Sequence, residues 1–288
     1  MTTVHLFPGQ GSQRVGMGER LLAAYPNLVR QADSALGYSI AELCLTGPAE
    51  RLADTRFTQC AVYVVDALSY VDTVRTTGVV PDVVAGHSLG EYAALFAAGA
   101  YDFRTGLEIV ARRAALMAEA GPGAMAAVMG LDEAALRRLI AAHGAEVDIA
   151  NINAPDQIVV SGRPDDIEAV SGELSAHASA VVPLKVSGAF HSRYMRPAAD
   201  EYARFLGRYV FGRLRIPVIA NTTALPYGDS DVASVLCRQL TQPVRWSETV
   251  EYVLALPDAQ VREVGPGNVL TGLTQRIQGA RRRAAVSA

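Results

Sequence analysis

Apolar and polar positions in the first part of the chain follow two alternating periods. Val4 to Phe7 is a short, mostly apolar run that predicts a strand, and it is closed by the Gly-rich turn Pro8-Gly9-Gln10-Gly11-Ser12-Gln13. Helical spacing follows from Gly18 to Leu36, then over Pro48–Ala53 and Phe57–Arg75. The last of these is apolar on most faces (Ala61, Val62, Val64, Val65, Ala67, Leu68, Val71), as in a buried helix. Val83-Val84-Ala85 predicts a second strand and Glu91–Ala98 a helix. Phe103–Ala120 predicts another helix, with Asp102 at its N-cap. Strands alternating with helices predict a parallel sheet covered by helices.

At Gly121-Pro122-Gly123 the pattern changes. Strand Ala124–Met129, helix Asp132–His143 and strand Val147–Asn151 are followed by a turn at Ala154-Pro155-Asp156. Strand Gln157–Ser161, helix Pro164–Ala176 and strand Val181–Ser187 complete a β-α-β-β-α-β order, the ferredoxin-like arrangement. The expected organisation is a large α/β-hydrolase-like domain with a mostly parallel central sheet (1–122 and 189–288) and a small ferredoxin-like α+β domain inserted at 123–188. The large domain resumes with a helix from Tyr194, a strand at Ile216–Asn221 and helices at Asp231–Leu240 and Trp246–Leu256. It closes with a strand at Val261–Val264, a Gly265-Pro266-Gly267 turn and a last helix to Ile277.

Composition narrows the function classes. The 288 residues are 50% hydrophobic with a net charge of −3, and no basic stripe suits nucleic acid. No apolar run reaches the length needed to span a bilayer, and the N-terminus has no leader pattern. Cys44, Cys60 and Cys237 are scattered and odd in number, as expected of small hydrophobes in a reducing compartment, and no residue cluster has metal-ligand spacing. A soluble, monomeric cytoplasmic protein without membrane or metal is expected, with Arg281-Arg282-Arg283 in a solvated tail.

The chemistry concentrates at Gly86-His87-Ser88-Leu89-Gly90. A Ser between two glycines, after a strand and before a helix, is the pattern of a nucleophile elbow. The glycines permit a tight turn that leaves Ser88 Oγ exposed, and the helix N-terminus faces any oxyanion formed there. The alternative is a helix-opening turn with a capping Ser. The first Gly-rich loop is not a dinucleotide fingerprint, because Arg14 stands where G-x-G-x-x-G needs its third Gly. Such a turn can instead present a backbone N–H to a neighbouring site. A Ser nucleophile needs a base. Among His5, His87, His143, His177 and His191, the first, third and fourth suit structural or surface positions. His87 adjoins Ser88, and neighbours in an elbow point apart. His191, in Gly188-Ala189-Phe190-His191-Ser192, sits where the inserted segment rejoins the large one and is the candidate base.

Five motifs, in order, resemble the malonyl-CoA:acyl carrier protein transacylases: Phe7-Pro8-Gly9-Gln10-Gly11-Ser12-Gln13, Gly86-His87-Ser88-Leu89-Gly90-Glu91, Asn151-x-Asn153-x-Pro155-x-Gln157, Gly188-Ala189-Phe190-His191 and Val264-Gly265-Pro266-Gly267-x-Val269-Leu270. The resemblance implies Ser88 as nucleophile and His191 as general base, oriented by the main-chain carbonyl of Gln239. It implies an oxyanion hole at the backbone N–H groups of Gln10 and Leu89. Arg113 takes the place of the carboxylate-binding Arg, a role its planar fork suits, while Arg112 is left for the helix surface. Phe190 resembles the malonyl-selecting form of its motif, since a bulky ring leaves little room for a 2-methyl branch. Gly188 stands where many relatives carry His or Val.

The resemblance further implies malonyl-CoA as substrate and an acyl carrier protein, through its phosphopantetheine thiol, as acceptor and partner, with no permanently bound cofactor. Because the chain ends soon after the last motif, a free-standing enzyme is expected. Phe57-Thr58-Gln59-Cys60-Ala61 and Phe190-His191-Ser192-Arg193-Tyr194-Met195 lean toward the group acting in trans on polyketide synthases rather than toward fatty acid synthesis. The rivals are an editing acyl hydrolase of the same fold, for which Arg113 would have no purpose, an ordinary α/β-hydrolase esterase, whose acid should precede its His late in the chain, and a non-catalytic docking module.

Overall fold

The computed structural model describes residues 1–228 and 231–287. One sheet holds β1 (Thr2–Phe7), β2 (Val83–Gly86), β7 (Val218–Ile219) and β8 (Ala259–Glu263) in the order β7-β2-β1-β8, with every pair parallel. Phe7 pairs with Gly86, so the turns leaving β1 and β2 emerge side by side. Helices cover both faces. On one face the long helix Thr55–Thr77 buries Val62, Tyr63, Val64 and Leu68 in the main core. On the other, Trp246–Leu254 and the C-terminal helix bury Trp246, Val250 and Leu270 against Val4, Leu6 and Ala85. Each such apolar side chain contributes about 1.5–3 kcal/mol when removed from water.

The second sheet is antiparallel, with β3 (Ala124–Met129), β4 (Asp148–Ala154), β5 (Gln157–Gly162) and β6 (Ala180–Pro183) in the order β4-β5-β3-β6. Two helices, Glu133–His143 and Pro164–Leu174, bury Leu136, Ile140, Ile167 and Val170 against it. This is the ferredoxin-like order that the β-α-β-β-α-β pattern predicts. Reciprocal backbone bonds, Ile152 N to Val244 O and Val244 N to Ala150 O (both 2.9 Å), tie β4 to the chain entering the Trp246 helix.

Several predicted boundaries move, for local reasons. The helix expected over Gly18–Leu36 is two, Glu19–Ala24 and Pro26–Leu36, because Pro26 cannot donate into a continuous helix and Tyr25 leaves helical geometry (φ −122°, ψ 54°). An unpredicted helix at Ile40–Thr46 is capped by Ser39 Oγ, which accepts from Glu42 N. The strand expected over Ile216–Asn221 pairs only at Val218–Ile219, and that over Val181–Ser187 only at Ala180–Pro183. The last helix continues past Ile277 to Ser287, so Arg281–Arg283 lie on a helix, and they are exposed, as a solvated tail requires. His5 is buried, while His143 and His177 are exposed. Among the described residues, no helix is long and apolar enough to cross a membrane.

Candidate active site

Three strand ends meet at Ser88. β2 delivers the elbow, β1 on one side delivers the Gly9–Gln10 loop, and β7 on the other delivers Asn221. The carboxyl edge of a parallel sheet is where open α/β folds place their sites. At the elbow the backbone crosses itself closely. A Cβ on Gly86 would lie 1.9 Å from Gly90 C, and one on Gly90 would lie 2.0 Å from Phe7 O, so neither position admits a side chain. Ser88 itself takes φ +50°, the left-handed region that costs a non-glycine residue roughly 1–2 kcal/mol. That conformation is braced by Asn221, whose Oδ1 accepts from Ser88 N at 2.7 Å while its Nδ2 donates to Gly86 O at 2.7 Å.

His191 also has a positive φ, +57°, and faces the serine. Ser88 Oγ lies 2.7 Å from His191 Nε2, and His191 Nδ1 lies 2.7 Å from the main-chain oxygen of Gln239. The carbonyl can only accept, so Nδ1 carries the hydrogen and Nε2 is left to accept from Ser88. Burial first, and then the Arg113 cation, push the His191 pKa down to about 3, which keeps the imidazole neutral. His87 points away from this pair, as expected. Its Nε2 lies 2.7 Å from Asn153 Oδ1, and its ring packs edge-on to Trp246.

Arg113 is 1% exposed and reaches the serine from the helix Phe103–Glu119. Its Nη2 donates to Ser88 Oγ (3.1 Å) and Gln239 Oε1 (3.0 Å), and its Nη1 donates to Gln59 Oε1 (2.6 Å). Its guanidinium lies 5.2 Å from the centre of the Tyr92 ring. All three hydrogen-bond partners are neutral, and Nε has none among the described residues. A cation so far from water, without a carboxylate bonded to it, is costly unless an anion completes it. Arg112, one residue earlier, pairs instead with Glu201, as its expected surface role requires.

Gln10, Ser88, Leu89, Arg113, Phe190 and His191 line one cavity of about 100 Å³. That is the space of roughly three waters and suits a short acyl group. Among the described residues, neither Gln10 N nor Leu89 N donates to a protein acceptor. Gly9 packs against the elbow so tightly that a Cβ there would lie 2.4 Å from His87 O. A Cβ on Gly188 would lie 2.4 Å from Phe190 Cε1, so the absent side chain is what allows the Phe190 ring its position. An adjoining cleft of about 400 Å³ shares Gln10 and His87 and is lined further by Asn153, Gln157, Leu270 and Arg276. Every predicted site residue therefore borders the cavity or bonds to one that does. Four supporting residues carry no assigned role in the sequence reading. Gln59 and Glu91 fall inside the family-like motifs Phe57–Ala61 and Gly86–Glu91 with only their positions as signal, while Asn221 and Tyr227 give none.

A serine on a strained elbow, a carbonyl-oriented imidazole and a buried guanidinium beside them are an arrangement that can carry acyl transfer, set on an α/β scaffold. The chain matches the acyl transferase domain family over residues 4–284 and belongs to it. It is 49% identical to the polyketide biosynthesis malonyl CoA-acyl carrier protein transacylase of Bacillus velezensis, over 95% of this chain and 96% of that one. The malonyl CoA-acyl carrier protein transacylase structure from Burkholderia pseudomallei superposes with a TM-score of 0.93 at 44% identity, covering 96% and 98% of the two chains. A complex of a type II polyketide synthase acyl carrier protein with its malonyl-transacylase superposes at 0.90 and 38% identity, covering 96% and 93%.

Proposed function

We propose that this protein moves a malonyl group from malonyl-CoA to the phosphopantetheine thiol of an acyl carrier protein by a two-step Ser-His mechanism. The observation that carries the substrate class is Arg113, a buried cation bonded, among the described residues, only to neutral acceptors and 3.1 Å from Ser88 Oγ. The malonyl carboxylate is the anion it lacks, and a bidentate pair there holds the thioester carbonyl over Ser88 Oγ.

In the first half-reaction Ser88 Oγ attacks the thioester carbon and passes its proton to His191 Nε2. The main-chain oxygen of Gln239 holds the imidazolium that forms. The N–H groups of Gln10 and Leu89 donate to the tetrahedral oxyanion. The C–S bond breaks, and CoA leaves with the proton from His191. In the second half the carrier thiol gives its proton to His191, attacks the seryl ester, and Ser88 Oγ departs as the alcohol. The cleft bordered by Gln10 and His87 is the approach for both thiols.

The polyketide role, acting in trans as a free-standing cytoplasmic monomer without a bound cofactor, belongs to the same proposal. It is supported by the similarity to the Bacillus velezensis transacylase. So does the division into 1–122 plus 189–288 and 123–188, which follows the two sheets. Intact-mass analysis after incubation with malonyl-, methylmalonyl- and acetyl-CoA tests the reading. A malonyl adduct is expected, absent in Ser88→Ala and discharged by holo carrier protein. Rapid hydrolysis of acetyl carrier protein with no malonyl transfer would identify the editing hydrolase instead.

A further inference from the structure

Behind the elbow lies a carboxylate that the mechanism above does not use. Glu91, in the first turn of the helix Gly90–Ala97, is fully buried. Its Oε1 accepts from Tyr227 OH (2.8 Å) and from Asn221 N (3.2 Å), and its Oε2 accepts from Gln239 Nε2. The same Gln239 Nε2 donates to Ser88 O at 2.9 Å. A carboxamide has one donor end and one acceptor end. With two acceptors, the Glu91 carboxylate and Ser88 O, on one side, Gln239 must turn Oε1 to the other side, where Arg113 Nη2 donates to it at 3.0 Å.

We infer that Glu91 is a positioning residue for acyl selectivity: it sets the orientation of the Gln239 carboxamide and thereby the seat of the Arg113 guanidinium that receives the substrate's carboxylate. The inference rests on the transacylase reading and deepens it. Glu91 is one carboxamide removed from Arg113, close enough to offset the buried cation yet not bonded to it. The guanidinium is thus held in place with its capacity for an acyl carboxylate intact. An acid bonded directly to Arg113 would compete with that carboxylate. Burial pushes the Glu91 pKa up to about 7, against the pull of its hydrogen-bond donors and of Arg113.

Glu91→Gln tests this without changing shape. Asn221 N–H requires an oxygen at the Oε1 position, so the new amide places NH2 where Oε2 was, against Gln239 Nε2. Two donors cannot face each other. Gln239 flips or detaches, and Arg113 loses its acceptor. The ratio of malonyl-CoA to acetyl-CoA acylation rates, read by intact mass on Ser88, is expected to fall about tenfold, with the KM for malonyl-CoA raised. In an Arg113→Ala background the same substitution should leave the ratio unchanged. A purely structural Glu91 would slow both donors equally, and an unmoved ratio, or an additive fall in the double variant, overturns the inference. Should Glu91→Gln not fold, Tyr227→Phe removes one donor to Glu91 and decides the matter: a fall of about threefold is expected, and an unchanged ratio overturns the inference. If the wild-type enzyme forms no malonyl adduct at all, the transacylase reading fails; if it does and the ratio does not move, only this inference fails.

Discussion

Gln239 serves two residues with two different oxygens: its main-chain oxygen accepts from His191 Nδ1 at 2.7 Å, and its side-chain Oε1 accepts from Arg113 Nη2 at 3.0 Å. His191, the proposed base, and Arg113, the proposed carboxylate-binding cation, are thereby fixed to one residue at the end of the helix Val232–Gln239. A displacement of that helix end would disturb activation and selectivity together.

Arg113→Ala removes the charge-assisted bonds to a malonyl carboxylate. Such bonds contribute about 1.5–3 kcal/mol, so malonyl-CoA acylation should slow roughly 10- to 150-fold. Acetyl-CoA acylation is expected to hold or rise. Rates of Ser88 acylation by the two donors check this, and unchanged selectivity would remove Arg113 from the substrate's path.

The pH profile follows from His191. Its pKa is pushed down from 6.5 to about 3, so the imidazole is already neutral where a solvent-exposed histidine would be charged. Acylation of Ser88 by a neutral ester should therefore show no acid limb at pH 6.5. Arg113→Ala removes the second cause of the depression, and the limb should move up toward, but not reach, the unperturbed value. Stability responds in the same direction. The unfolded histidine takes a proton that the folded one refuses, so this contribution is complete above pH 6.5 and is lost as pH falls toward about 3. A wild-type limb near 6.5 would contradict the buried neutral imidazole.

Asn221→Ala should destabilise the elbow. It leaves Ser88 N–H and Gly86 O without their side-chain partner, a loss of about 1–3 kcal/mol for each group. The thermal midpoint should drop about 5–10 °C for a chain of this size, and acylation should slow more than the loss of fold accounts for, because Ser88 is held at φ +50° by that bond. Calorimetry with single-turnover kinetics separates the two effects. A variant with wild-type acylation would show that the elbow holds its strain without Asn221.

Phe190 and Gly188 form a coupled pair, since the ring occupies the place a Cβ at 188 would take. Phe190→Ser should admit methylmalonyl-CoA, with discrimination shifting by about 1–3 kcal/mol for the one methyl. Gly188→Val should displace the ring and shift the same ratio. A methylmalonyl-to-malonyl ratio untouched by both substitutions would mean that neither residue sets the pocket's size.

What the sequence alone determined is what lies within a few residues of itself. The elbow is legible because strand, Gly86, Ser88, Gly90 and helix are consecutive, and its geometry needs glycine where the backbone crosses. The ferredoxin-like order is legible because periodicity is local to each element, and so is the Asp102 cap, which accepts from the backbone N–H of Thr105, three residues on. His191 could be nominated from its place where the inserted segment rejoins the large one, whereas Arg113 came only from the family resemblance. The tertiary structure alone decided the supporting network of Gln59, Glu91, Asn221, Tyr227 and the side chain of Gln239. These residues come from separate elements and meet only because β7, β2 and β1 are neighbours with their carboxyl ends aligned. A polar side chain's role is set by the donors and acceptors that face it, and for a buried group those are chosen by packing of distant segments, which no local pattern encodes.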